Sequence, residues 1–100
     1  MTLPVEDVLA IQRLKHRYAY ATDAVDRDAF LALFTDDATF DVGFYGTGQG
    51  RGDLEAFLDE LAAMEYAARG HNLTNPVIDV DGDTATGTWY YLVLYETPDG

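Results

Sequence analysis

The apolar period of this 100-residue chain changes once, near residue 70, and that change limits the fold more than any other feature. Before it, apolar side chains recur every three or four positions; after it, they come in β-rich runs. Val8, Ile11, Leu14, Tyr18, Ala21 and Val25 lay a stripe along a helix over residues 4–25. Pro4 suits its first turn, and Glu6 and Asp7 suit the positive end of its dipole. The stripe predicts that Ile11, Leu14, Tyr18 and Ala21 are buried, with Arg13 and His16 accessible. A second, short helix is expected from Arg27 to Phe34, N-capped by Asp26. Leu54, Phe57, Leu58, Leu61, Met64 and Ala68 mark a third from Asp53 to Ala68, stopped by Gly70. Between these last two, Ala38–Val42 alternates as a strand, and residues 43–52, with five glycines, read as a loop around a short strand.

The remainder predicts a hairpin. His71–Asp81 is one strand, with an edge or a bulge at Pro76, whose ring removes a ladder donor. Asp81-Gly82 is a hairpin turn signal. Thr84–Glu96 is the second strand, apolar on both faces from Trp89 to Tyr95. Without a bulge, odd residues of the first strand share a face with even residues of the second. His71, Leu73, Tyr90, Leu92 and Leu94 then line a pocket, while Trp89, Tyr91 and Val93 face outward into a subunit interface. A one-residue shift at Pro76 reverses every one of these assignments. Helices followed by antiparallel strands make an α+β domain spanning residues 1–100. Pro98-Asp99-Gly100 is another turn signal, and turns of this chemistry lead into a returning strand. The expectation is therefore that the domain lacks its C-terminal strands here, and that the open apolar strand favours a homo-oligomer, a homodimer first of all.

Charge excludes some partners. Six Lys and Arg stand against eighteen Asp and Glu, a formal net charge of −12, and residues 70–100 carry neither Lys nor Arg. Nucleic acid and anionic membrane both require basic surfaces, so neither is an expected partner. The absence of cysteine removes disulfides, thiolate zinc sites and cysteine nucleophiles. No signal-peptide pattern or apolar run of membrane-spanning length occurs, which leads to the expectation of a cytoplasmic protein.

Among side chains that could do chemistry, His71 and Asp23 stand out. A carboxylate on one imidazole nitrogen fixes the tautomer and stabilises the imidazolium formed when the other nitrogen takes a proton. Asp23 falls at the C-terminal end of the first helix, where the dipole disfavours a carboxylate and a partner would help. Tyr18 lies in the apolar stripe, as a core aromatic or as a phenol that donates to a substrate oxygen. It is about 140° around an ideal helix from Asp23, so periodicity alone does not bring the two together. Gly46-Thr47-Gly48-Gln49-Gly50 precedes a helix but lacks the spacing of either common nucleotide loop. Two histidines far apart in sequence offer no metal-binding pattern.

The order of features, with Ile11-Gln12-Arg13-Leu14, Tyr18, Asp23, Asp26, Leu33-Phe34-Thr35-Asp36-Asp37-Ala38, Gly50-Arg51-Gly52, His71-Asn72-Leu73-Thr74-Asn75 and Val80-Asp81-Gly82-Asp83-Thr84-Ala85, resembles the nuclear-transport-factor-2-like superfamily. Within it the chain is similar to the SnoaL-like branch, which holds scytalone dehydratase, bile acid 7α-dehydratase and lindane dehydrochlorinase. The resemblance implies a cone-shaped, curved antiparallel sheet with three helices closing a pocket. It also implies an Asp–His pair at Asp23 and His71, a partner phenol at Tyr18 and no cofactor. The implied substrate is a cyclic apolar small molecule, which Leu73, Tyr90, Leu92 and Leu94 would contact if the unbulged hairpin register holds. The activity implied is a dehydratase-like lyase or an isomerase. The same scaffold also serves as polyketide cyclase and as a non-catalytic binding or assembly subunit. Scytalone dehydratase uses a second strand histidine that residues 84–100 do not supply.

Overall fold

The computed structural model describes residues 4–43, 46–64 and 68–97. Helix α1 spans Val5–Ala24, α2 Arg27–Leu31 and α3 Gly50–Ala63; strands β1 Thr39–Asp41, β2 Thr47–Gln49, β3 Ala68–Asp81 and β4 Thr84–Glu96 complete the order. Both strand pairs, β1–β2 and β3–β4, are antiparallel. The α+β class is as the sequence predicts: three helices set against a curved, unclosed sheet. The longest dimension, 51 Å, reflects the length of the β3–β4 hairpin.

Local chemistry sets the helix ends. The Asp26 carboxylate accepts from the Ala29 N–H and so caps α2 as expected, although α2 stops at Leu31, short of Phe34. The α1 terminus turns on Val25, a β-branched residue in the left-handed region (φ 50°) whose N–H bonds back to the last α1 carbonyls. Val25 packs against the core, and that contact holds an otherwise unfavourable backbone in place. Asp53 accepts from the Gln49 N–H and secures the start of α3. That helix begins three residues earlier than its stripe predicts and ends at Ala63, before Ala68. Ala68 and Gly70 instead pair with Glu96 and Leu94, because the thirteen-residue β4 recruits a partner of its own length. Gly70 is thus a strand residue and not a helix stop.

The core lies among the helices. Ala21, Phe30, Leu31, Leu54 and Leu58 are buried, with Tyr18, Val25, Phe34, Phe40 and Phe57 packed around them. The Phe40 ring lies over Gly48, its partner across β1–β2, where an added Cβ would sit 2.4 Å from the ring. The predicted burial along α1 needs correction. Ala21 is buried and Ile11 and Tyr18 are half-buried, but Leu14 is 44% exposed. All buried residues of α1 come from its last six positions, so its N-terminal half overhangs the body and Leu14 borders a cavity. Arg13 and His16 are exposed, as expected.

The hairpin register decides which side chains reach the interior. Asp81 pairs with Thr84, and Gly82 (φ 58°) takes the left-handed turn position that glycine favours. Pairing runs regularly to Val77–Thr88, then resumes at Thr74–Tyr90, so Asn75 and Pro76 together face Trp89. This is a β-bulge, with Asn75 at φ 56°. His71 consequently pairs with Val93, and Leu73 with Tyr91. The face assignment made without a bulge is therefore reversed: Tyr91 and Val93 share the face of His71, while Tyr90, Leu92 and Leu94 lie on the other face, each more than half exposed. The turn signal at residues 98–100 lies outside the described residues.

Candidate functional site

Helix α1 and strand β3 meet at Asp23 and His71. The Asp23 carboxylate accepts the His71 backbone N–H at 3.1 and 3.2 Å through its two oxygens, and its Oδ1 also contacts imidazole Nδ1. The His71 N–H is an outer-edge donor of β3, directed away from β4, and would otherwise lack a partner. One carboxylate thus closes the strand edge, locks the ring and offsets its own unfavourable position at the helix end. The side chains are 10% (His71) and 25% (Asp23) exposed, so the pair is shielded without being sealed. With Nδ1 committed, Nε2 is the nitrogen left to exchange a proton.

His71 lines an apolar cavity of about 160 Å³ with Thr22, Leu61, Val93 and Tyr95. A larger one, about 460 Å³, is lined by Leu14, Lys15, Leu33, Phe34, Phe40 and Leu54 among others. Tyr18, Tyr91, Val42 and Phe57 border both, so these are two lobes that share one wall. The hairpin brings Tyr18 and His71 to the same lobe, while Asp23 reaches that lobe only through its contact with His71.

Tyr91 is the residue that sequence reasoning sent to the wrong face. Its ring lies 5.4 Å from the imidazole, and its hydroxyl meets the Tyr18 phenol. Burial, aided by the nearby Tyr18 and Asp23, pushes the Tyr91 phenol well above its usual pKa, so Tyr91 stays protonated and donates to Tyr18. Burial also raises the Tyr18 phenol, while the Thr22 and Tyr91 hydroxyls act in the opposite direction. The buried Thr22 hydroxyl faces Tyr18 outside strict hydrogen-bond geometry. As an acceptor from Tyr91, Tyr18 keeps its own proton available for a ligand.

The other sequence candidates fall elsewhere. Leu73 borders neither lobe; it lines another groove with His16 and Tyr20, one that Asp23 and His71 also border. Tyr90, Leu92 and Leu94 border neither lobe. For Tyr90, Leu92 and Leu94 the Asn75-Pro76 bulge is the physical cause, and a proline that cannot join the ladder was its only sequence signal. Among the described residues no cluster of His, Asp or Glu could hold a metal ion, and no helix is long and apolar enough to cross a membrane.

A model of the SnoaL-like domain matches residues 4–100. The chain belongs to the SnoaL-like family. It is similar to a proposed aromatic ring hydroxylase from Novosphingobium aromaticivorans, at 37% identity over 99% of this chain and 71% of that one, with a TM-score of 0.84. A Mycobacterium tuberculosis protein of unknown function shares 30% identity over 94% of this chain and 57% of its own, with a TM-score of 0.83. A proposed scytalone dehydratase from Novosphingobium aromaticivorans, at 21% identity over 94% of this chain and 63% of that one, has the same fold with a TM-score of 0.84. No curated protein matches this SnoaL-like chain significantly.

Proposed function

We propose that this SnoaL-like domain is a cofactor-independent lyase of the dehydratase type, or an isomerase, acting on a cyclic apolar small molecule. The observation that carries the reading is the Asp23–His71 contact at the wall of an apolar cavity. His71 Nε2 takes a proton from a carbon next to the one bearing the leaving hydroxyl. The C–H electron pair becomes the new C=C bond, the C–O bond breaks, and Tyr18 protonates the departing oxygen to give water. Asp23 stabilises the imidazolium as it forms, and Tyr91 holds the Tyr18 oxygen in place. In an isomerase the same imidazole returns the proton to another carbon. The proposed dehydratase among the structural neighbours has this fold, and that likeness is compatible with the reading.

The test follows substrate loss across hydroxylated cyclic compounds for the wild type and His71→Ala between pH 5 and 9. His71→Ala is expected to lose on the order of 10²–10⁴ in turnover. An unchanged rate would remove the mechanism and leave a binding module.

We also propose a cytoplasmic homo-oligomer, associated through the outer face of β4. Tyr90, Leu92 and Leu94 there are 58–73% exposed. Sedimentation should show a dimer that Leu92→Lys dissociates; a wild-type monomer would overturn the proposal.

A further inference from the structure

Lys15 stands one turn before Tyr18 on α1 and lines the larger lobe, whose other walls are mostly apolar. Its ammonium lies 4.6 Å from the Tyr18 ring centroid and 5.5 Å from that of Trp89. These ring faces hold the cation at the cavity wall without neutralising it. Lys15 is half-buried, and burial lowers its pKa from the ordinary 10.5. Two outer cations have acidic neighbours: Arg27 meets Asp59, and Arg51 lies 4.0 Å from both Asp36 and Glu55, whereas Arg13 and Arg17 stand exposed to solvent. Lys15 has no carboxylate within ion-pair distance among the described residues, and Asp41, which lines the same lobe, does not reach it. In a chain with three acids for every Lys or Arg, Lys15 differs from the exposed Arg13 and Arg17 in being half-buried at the wall of a mostly apolar cavity. A partly desolvated cation carries a cost that an incoming anion would relieve.

We propose that Lys15 anchors a carboxylate on the substrate, so that the ligand class is a cyclic apolar acid. The placement of its reacting carbon rests on the Asp23–His71 reading; the anion preference does not. Eight residues separate Lys15 from Asp23, about 12 Å along the helix axis. The acid therefore extends its carboxylate toward the lobe of Lys15 and presents the reacting carbon to His71, a span that suits two or three joined rings. Tyr18, between the two ends, contacts the middle of the molecule.

Isothermal titration calorimetry of biphenyl-4-carboxylate and its primary amide tests this, with wild type, Lys15→Met, Lys15→Arg and His71→Ala at pH 7. The wild type should prefer the carboxylate by about tenfold, as a charge-assisted contact predicts. Lys15→Met should bind both probes alike, and Lys15→Arg should restore the preference. His71→Ala should keep it, whatever that variant does to turnover, which separates this inference from the lyase reading. A preference that survives in Lys15→Met would place the anion elsewhere and overturn the proposal. So would equal binding, or no binding of the carboxylate, by the wild type. If Lys15→Met fails to fold, as circular dichroism would show, Lys15→Gln provides the neutral variant. A loss of stability without a change in preference would reduce Lys15 to a cation–π contact and also overturn it.

Discussion

Asp23 binds His71 twice, through the imidazole ring and through the backbone N–H of the same residue. The two bonds serve different ends, one chemical and one architectural, and substitutions should separate them. Asp23→Asn retains an acceptor for the backbone but cannot balance an imidazolium. Its turnover should fall on the order of 10² or more while its melting temperature changes little. Asp23→Ala leaves the strand-edge N–H without its partner and should also cost about 1–3 kcal/mol of stability by urea denaturation.

Tyr18 and Tyr91 should be unequal. If Tyr18 delivers the proton and Tyr91 only positions it, Tyr18→Phe should lower kcat more than Tyr91→Phe does. Steady-state kinetics of both variants and the double variant would decide, and the double should resemble Tyr18→Phe alone.

The raised pKa of Tyr91 fixes a sign for the alkaline response. The folded protein retains a phenol proton that the unfolded chain loses near pH 10, so stability is fully present below about pH 10 and declines as pH rises above it. Tyr91→Phe should flatten that part of the denaturation profile. Ultraviolet titration should assign the last tyrosinate to appear in the folded wild type to Tyr91.

The bulge can be tested at Asn75, whose backbone sits at φ 56°. Asn75→Gly should be tolerated, whereas Asn75→Val should cost about 1–2 kcal/mol by denaturation. Trp89, the single tryptophan of the chain, faces the bulge and folds back over Gly87. An alanine Cβ at Gly87 would lie 2.4 Å from the indole, so Gly87→Ala should displace the ring and change its fluorescence. Unchanged emission would contradict the packing.

Residue pattern alone determined much of this protein. A three-four stripe can bury one face only as a helix, and Asp81-Gly82 can close only a short turn, so the α+β order and the hairpin follow without tertiary information. The placement of Asp23 at a helix end and His71 near the start of a strand is likewise local. The interior face of the hairpin was decided by tertiary structure. Strand side chains alternate with period two, so one residue more or less at Asn75-Pro76 exchanges Tyr90, Leu92 and Leu94 for Tyr91 and Val93. Whether Pro76 ends a ladder or bulges within it depends on what β4 pairs with beyond it, and a proline codon carries no trace of that. The end of α3 was decided in the same way, because β4 takes Ala68 and Gly70 into its own ladder. Lys15 flanks the apolar stripe of α1, and nothing local marks it; only the aromatic rings and the cavity assembled around it separate it from a surface lysine.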